Sequence, residues 1–184
     1  MSIIAKLQKE KEKSLSEISS VKSEKQRREK YLDMQRKYFQ NFDNLLHKSD
    51  NNNKWLSKPE IASIVKEAIE SRDGKEYELI SYVIMPNHVH MVIIPRNSEE
   101  NTKTQPYKTA YLLKSLKWFT AMECNKKLKR KGAFWQHESY DHVVRNVEEL
   151  KNIVLYISNN PVKAGLVERF EEYQWLKNNY SMFV

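Results

Sequence analysis

From Tyr77 to Met85 the chain is apolar, β-branched or aromatic almost throughout; Pro86-Asn87 interrupts the run, and His88 to Ile94 resumes it. Short runs of this kind, bounded by turn residues, predict two strands of a hairpin. Upstream, Ile61, Ile64, Val65, Ala68 and Ile69 recur at three- and four-residue intervals, the stripe of an amphipathic helix. That helix is expected to take Ser57 as its N-cap, Pro59 in its first turn and Glu60 near its positive end, and to stop at Asp73-Gly74. Further on, the pattern predicts a helix from Tyr107 to about Lys131, halted by Gly132, and a strand from Phe134 to Arg145. A last helix, Val147 to Asn160, is expected to begin near Asn146 and end at Pro161.

The first 48 residues read differently. Residues 2 to about 48 hold no glycine or proline and are crowded with Lys, Glu, Gln and Arg, which predicts a long helix. Ile3, Ile4, Leu7, Leu15, Ile18 and Val21 recur only loosely and sustain no heptad, so a long coiled coil is not expected. The second half, with Tyr31, Leu32, Met34, Tyr38, Phe39, Phe42, Leu45 and Leu46, is expected to pack on the rest of the protein. Ser49-Asp50-Asn51-Asn52-Asn53 reads as a loop. The organisation expected is therefore a basic helical region at 1–48 followed by a domain at 49–184. The order helix, strand, strand, helix, strand, helix predicts an α+β fold, an antiparallel sheet with helices over one face.

Composition narrows the partners. The chain has 184 residues, enough for one domain with an appendage, and 32 Lys and Arg against 24 Asp and Glu leave a net charge of +8. Such a field attracts polyanions, nucleic acid first among them, although the same balance also serves solubility. A single cysteine, Cys124, excludes a disulfide framework and a thiolate zinc cluster and suits a reducing cytoplasm. No charged-then-apolar leader opens the sequence and no apolar run approaches the roughly 18 residues of a membrane span, so a cytoplasmic protein without a membrane partner is expected.

Two pairs of residues carry candidate chemistry. His88 and His90 are two apart at the start of a predicted strand, where both imidazoles point to one face and can share a divalent ion. Tyr156 and Asn160 are four apart on the last helix and so share a face. Were that face to meet the histidines, Asn160 could give a carbonyl oxygen to the ion while Tyr156 attacks phosphorus. Spacing alone leaves the alternatives open: two histidines that serve structure, a packed tyrosine, and an asparagine at a helix end.

Taken together, the motifs resemble a known family. Pro86-Asn87-His88-Val89-His90 after an apolar strand, Phe134-Trp135-Gln136, Tyr140-Asp141-His142-Val143-Val144-Arg145, and Tyr156-Ile157 leading to Asn160-Pro161-Val162-Lys163-Ala164-Gly165-Leu166-Val167 stand in the order found in REP-associated tyrosine transposases. The likeness begins near residue 30, runs to about 180 and includes Trp175. These proteins belong to the single-tyrosine HUH transposases. The resemblance implies a ferredoxin-like, RRM-like sheet with the histidines on a central strand, and Mg²⁺ or Mn²⁺ held by His88, His90 and Asn160. It implies Tyr156 as the nucleophile that cleaves single-stranded hairpin DNA through a 5′-phosphotyrosine link, and a monomer rather than a homodimer.

The residues that would contact DNA are less sharply marked. Lys127, Lys129 and Arg130 in the run 126–131, together with Arg145 and Lys163, are candidates for phosphate, although such a run is more often a solvated helix end. Trp118, Trp135 and Trp175 are expected in the core. Gln136 and His142 lie in family blocks without an assigned role, and His47 and His137 have no motif support.

One departure stands out. The family begins with a β-strand ahead of its long basic helix, whereas this chain opens on the helix at Met1-Ser2-Ile3-Ile4, so the sheet is expected to lack its first strand. Loss of a central strand exposes edges beside the histidines. Two readings stand beside the active transposase: an inactive or truncated DNA-binding relative, which the missing strand encourages, and an unrelated metal-dependent phosphoesterase built on the two histidines, in which water attacks.

Overall fold

β1 (Tyr77–Ile84) is the middle strand of a three-stranded antiparallel sheet ordered β2-β1-β3, flanked by β2 (Val89–Pro95) and the short β3 (Leu176–Asn178). The computed structural model describes residues 3–48, 54–96, 105–136, 139 and 141–179; the expected loop at 49–53, residues 97–104 of the connection after the hairpin, His137 and Tyr140 lie outside them. The chain divides into two compact units, residues 1–51 and 52–184.

In the second unit the predicted hairpin is present, with Val83 opposite His90 and Ile84 opposite Val89. The register shifts between Leu79 and Ser81, a bulge at Ile80. Because one residue is extra there, Leu79, Tyr82 and Ile84 pack toward one face, while Ile80, Val83 and Met85 pack toward the other. Both faces are covered, which is why β1 reads as a nearly unbroken apolar run.

On one face lie α3 (Pro59–Glu70) and α4 (Gln105–Lys127), whose Ile61, Val65, Ala68, Ile69, Leu112, Leu116 and Cys124 close the larger core. Burying each of the large aliphatic side chains contributes about 1.5–3 kcal/mol. The Tyr77 hydroxyl donates to Ile69 O at 2.7 Å and the Tyr82 hydroxyl to Glu70 Oε1 at 3.0 Å, fixing the end of α3 to β1. On the other face lies α5 (Val147–Lys163), whose Val154 and Ile157 pack with Ile80, Val83, Met85 and Val92. The antiparallel α+β class is thus as the element order predicts. Two helices form the expected layer, and α5 lies across the opposite face.

Several boundaries differ from the sequence pattern. Ser57 does not cap α3: its hydroxyl donates to Lys54 O at 2.6 Å and closes a 3-10 turn, Trp55–Ser57, so Lys58 takes the cap position without a side-chain bond. Asn146 does cap α5, accepting from Glu149 N at 2.8 Å. Pro161 does not end α5, which continues to Lys163. The stop is at Gly165, with φ of +67°: Gly165 N donates to Val162 O and Leu166 N to Pro161 O, the paired bonds of a Schellman turn.

The strand expected over Phe134 to Arg145 is absent among the described residues. Side chains hold this segment instead of a ladder. The Trp135 indole donates to Thr120 Oγ1 at 2.8 Å, Phe134 stacks on Trp55 at 5.2 Å, and Lys117 Nζ donates to Gln136 O at 2.6 Å. The third strand is β3, after α5 rather than before it. Three residues carry no period, but Ile84 N donates to Trp175 O, Asn179 N to Ile80 O and the Tyr173 hydroxyl to Ile84 O, which sew the segment to β1. The resemblance implies a central histidine strand; in this sheet β1 is central, and β2 pairs with β1 alone among the described residues. No described strand precedes β1.

The first unit is a pair of helices rather than one long helix: α1 (Ile3–Ser19) and α2 (Glu24–Lys48). Ser19 and Ser20 turn their hydroxyls back to Ser16 O and Glu17 O, and Ser23 Oγ accepts from Gln26 N at 3.4 Å to start α2. Serine three residues before glutamine is a helix-start signature, so the break was written in the sequence. Between the helices Ile18 is buried and Lys11 Nζ lies 4.8 Å from the Tyr38 ring centre.

Candidate active site

Along β2, Val89, Met91 and Ile93 pack with the α3 and α4 layer, and Val92 packs with α5. The two-residue period therefore puts His90 on the α5 face, opposite Val83. His88 stands just before the strand, its carbonyl accepting from Met85 N at 2.8 Å to close the hairpin. The two imidazoles are 4.8 Å apart between centres and nearly perpendicular, at 81°. His88 is buried and His90 half-buried. His88 Nδ1 is 2.7 Å from Asn87 Oδ1. An amide oxygen only accepts, so Nδ1 donates to it, and in the neutral imidazole Nε2 then presents the lone pair, the arrangement of a metal-ligating histidine with an outer partner.

α5 brings Tyr156 and Asn160 to the same sheet face. Asn160 is 0% exposed, and neither its Oδ1 nor its Nδ2 has a hydrogen-bond partner among the described residues. A buried polar group in that state costs about 1–3 kcal/mol, which is unexpected for a residue that only fills space. One turn earlier, Tyr156 is half-buried at the rim of α5. Lys163 Nζ lies 3.8 Å from its ring centre. Tyr156 and Lys163 line a shallow depression of about 390 Å³ with Asn152, Leu155, Asn159 and Val162.

The basic candidates separate. Lys127 and Lys129 are exposed at the end of α4, on the layer across the sheet from α5. Arg130 is engaged: its guanidinium lies 3.9 Å from the Trp55 ring centre and donates to Asn125 Oδ1 and Ala133 O. Arg145 and Lys163 stand at the two ends of α5, and Lys163 meets Tyr156. Trp135 and Trp175 pack against the core as expected, but Trp118 is 66% exposed, because it projects from the outer side of α4.

His142 gains a role the motif did not supply. Its Nε2 lies 2.8 Å from Glu149 Oε1, while Glu149 Oε2 accepts from Arg145 N at 2.7 Å. Burial pushes the Glu149 carboxyl up, but the Arg145 backbone bond and the His142 contact outweigh it and hold the carboxyl below its usual value. The cluster fixes the family block 141–145 to the first turn of α5. Asn146 followed three residues later by Glu149 is a capping signal that could have found it.

The structure thus carries two histidines beside the hairpin turn of a three-stranded antiparallel sheet and a tyrosine-bearing helix over the same sheet face. A model of the family described as IS200-like transposases matches residues 25–160, and the chain belongs to that family. The match begins at the second residue of α2 and so runs through both units. A Haemophilus influenzae protein assigned to the REP-associated tyrosine transposases is 28% identical over 104 residues, covering 54% of this chain and 57% of that relative. The chain thus matches little more than half of the relative's length. A solved structure of a REP-associated tyrosine transposase bound to a REP hairpin aligns over 70% of each chain with a TM-score of 0.53 and 19% identity, a likeness of fold.

Proposed function

We propose that the protein is a metal-dependent single-stranded DNA endonuclease and strand transferase that cuts hairpin DNA through Tyr156. The observation that carries this reading is the α5 face: Tyr156 stands one turn before a buried Asn160 whose amide has no partner among the described residues, on the sheet face that bears the histidines. His88, His90 and Asn160 would offer a divalent ion two imidazole nitrogens and an amide oxygen, a borderline donor set without thiolate that admits Mn²⁺, and the family resemblance points to Mg²⁺ or Mn²⁺. Such an ion, when bound, supplies charge that screens the phosphoryl oxygens.

In the proposed step the Tyr156 oxygen gives up its proton and forms a bond to phosphorus. The bond from phosphorus to the 3′ oxygen breaks, and that oxygen takes up a proton to leave as a 3′-hydroxyl. The 5′-phosphotyrosine conserves the bond, so a later 3′-hydroxyl can reverse the step and release Tyr156. Lys163, over the Tyr156 ring, favours negative charge there and can meet the incoming phosphate. Hairpin DNA as substrate is supported by the hairpin-bound structural neighbour.

The test is incubation with labelled hairpins carrying a single-stranded flank, in Mn²⁺, scored for a protein–DNA adduct that survives denaturation. An adduct is expected, lost in Tyr156→Phe and in His88→Ala. Cleavage that persists in Tyr156→Phe would make water the nucleophile. Tight binding without an adduct would favour the second reading, a binding-only relative, to which the position of β2 at the edge of the sheet formed by the described residues lends weight.

A further inference from the structure

α4 has an apolar face that the core does not use. Leu112, Leu116, Thr120 and Cys124 recur every fourth residue and are buried in the layer with α3. On the opposite side of the same helix, Tyr111, Trp118 and Met122 are 72%, 66% and 44% exposed. At 3.6 residues per turn these three lie within one narrow stripe. A surface helix usually gives that side to charged residues, so a stripe of two aromatics and a methionine marks a surface that binds something.

The charges around the stripe say what. Lys114 is exposed between Tyr111 and Trp118, and Lys126 is exposed one turn beyond Met122. The one acid of α4, Glu123, falls toward the buried side. Tyr111 and Trp118 are about 10 Å apart along the axis, which lets separate bases stack on each ring while Lys114 meets the phosphate that joins them. A second copy of this chain fits less well, because a symmetric contact would bring these lysines together in a protein whose net charge is already +8.

We propose that the outer face of α4 is a stacking surface for single-stranded nucleic acid, distinct from the Tyr156 site and on the layer across the sheet from it. It takes unpaired bases through Tyr111 and Trp118, with Lys114 and Lys126 on the backbone. Fully paired duplex, whose bases are stacked within the helix, gains nothing from it.

Binding of an unstructured oligothymidylate and of a blunt duplex of equal length is measured in the Tyr156→Phe protein, by Trp118 fluorescence and by anisotropy, with sedimentation of each variant. Quenching of Trp118 by the single strand is expected. Trp118→Ala or Tyr111→Ala should weaken single-strand binding roughly tenfold or more, Trp118→Phe should retain most of it, and duplex binding should not change. Both side chains are exposed, so the variants should fold. Unchanged single-strand affinity in Trp118→Ala would overturn the proposal; so would a dimer that Trp118→Ala dissolves without any effect on DNA. Adduct formation by the wild-type protein reads the Tyr156 proposal separately, so either can fail alone.

Discussion

The Lys163 ammonium lies 3.8 Å from the centre of the Tyr156 ring, two turns along the same helix. This pairing gives the proposed nucleophile a fixed cation without any contribution from the α4 basic run.

Replacing Lys163 with methionine should therefore lower the rate of adduct formation by roughly tenfold, the scale of a cation on an aromatic face at a half-buried site. Lys163→Arg should retain much of the rate. Lys127→Ala and Lys129→Ala, on the other layer, should leave it close to wild type. Single-turnover kinetics with a hairpin substrate distinguish these outcomes, and equal losses at Lys127 and Lys163 would sink the assignment.

Asn160 offers a stability test that opposes function. Leucine has nearly the shape of asparagine and no polar atoms to strand, so Asn160→Leu should unfold at an equal or higher temperature than wild type in the absence of divalent ions. The same variant should lose any rise in melting temperature on adding Mn²⁺, and with it the adduct. Clear destabilisation without metal would show that the amide has structural partners.

The Glu149 cluster sets a pH dependence. Its carboxyl is held below the ordinary value of 4.5, so the stability it contributes is fully present above that value and is lost as pH falls through the depressed one. Thermal unfolding followed from pH 7 to pH 3 should show a smaller acid loss in Glu149→Gln than in wild type. At neutral pH that variant should be less stable by on the order of 1 kcal/mol.

Gly165 should be intolerant for backbone reasons alone. Nothing lies within 4 Å of where a Cβ would sit, yet its φ is +67°. Gly165→Ala should cost about 1 kcal/mol, visible in urea unfolding, while Gly165→Asn should cost less. A neutral Gly165→Ala would mean that α5 can end in another way.

How much of this was legible depends on how local each determinant is. The hairpin, the α3 stripe and the start of α5 were, because hydrophobic period and the Asn146 cap act within a few residues. The four residues assigned to the proposed chemistry were found by motif, and their common sheet face follows from the period of β2 and the placement of α5. The strand expected at 134–145 was misread because Phe134, Trp135 and Val143 have strand character, while the partners that hold the segment, Thr120, Trp55 and Lys117, are distant in sequence. β3 was missed for the reverse reason: its three residues acquire extended structure only from the edge of β1.

The sequence by itself determined the elements whose signals are periodic or capped, and marked His88, His90, Tyr156 and Asn160 as the candidate set for the proposed chemistry. Only the tertiary structure decided that α5 lies on the histidine face, that Asn160 is buried without a described partner, that Lys163 rather than the α4 run meets Tyr156, and that Trp118 faces outward. Period assigns a residue to one side of its own element. Which neighbour covers that side is settled by packing between elements far apart along the chain.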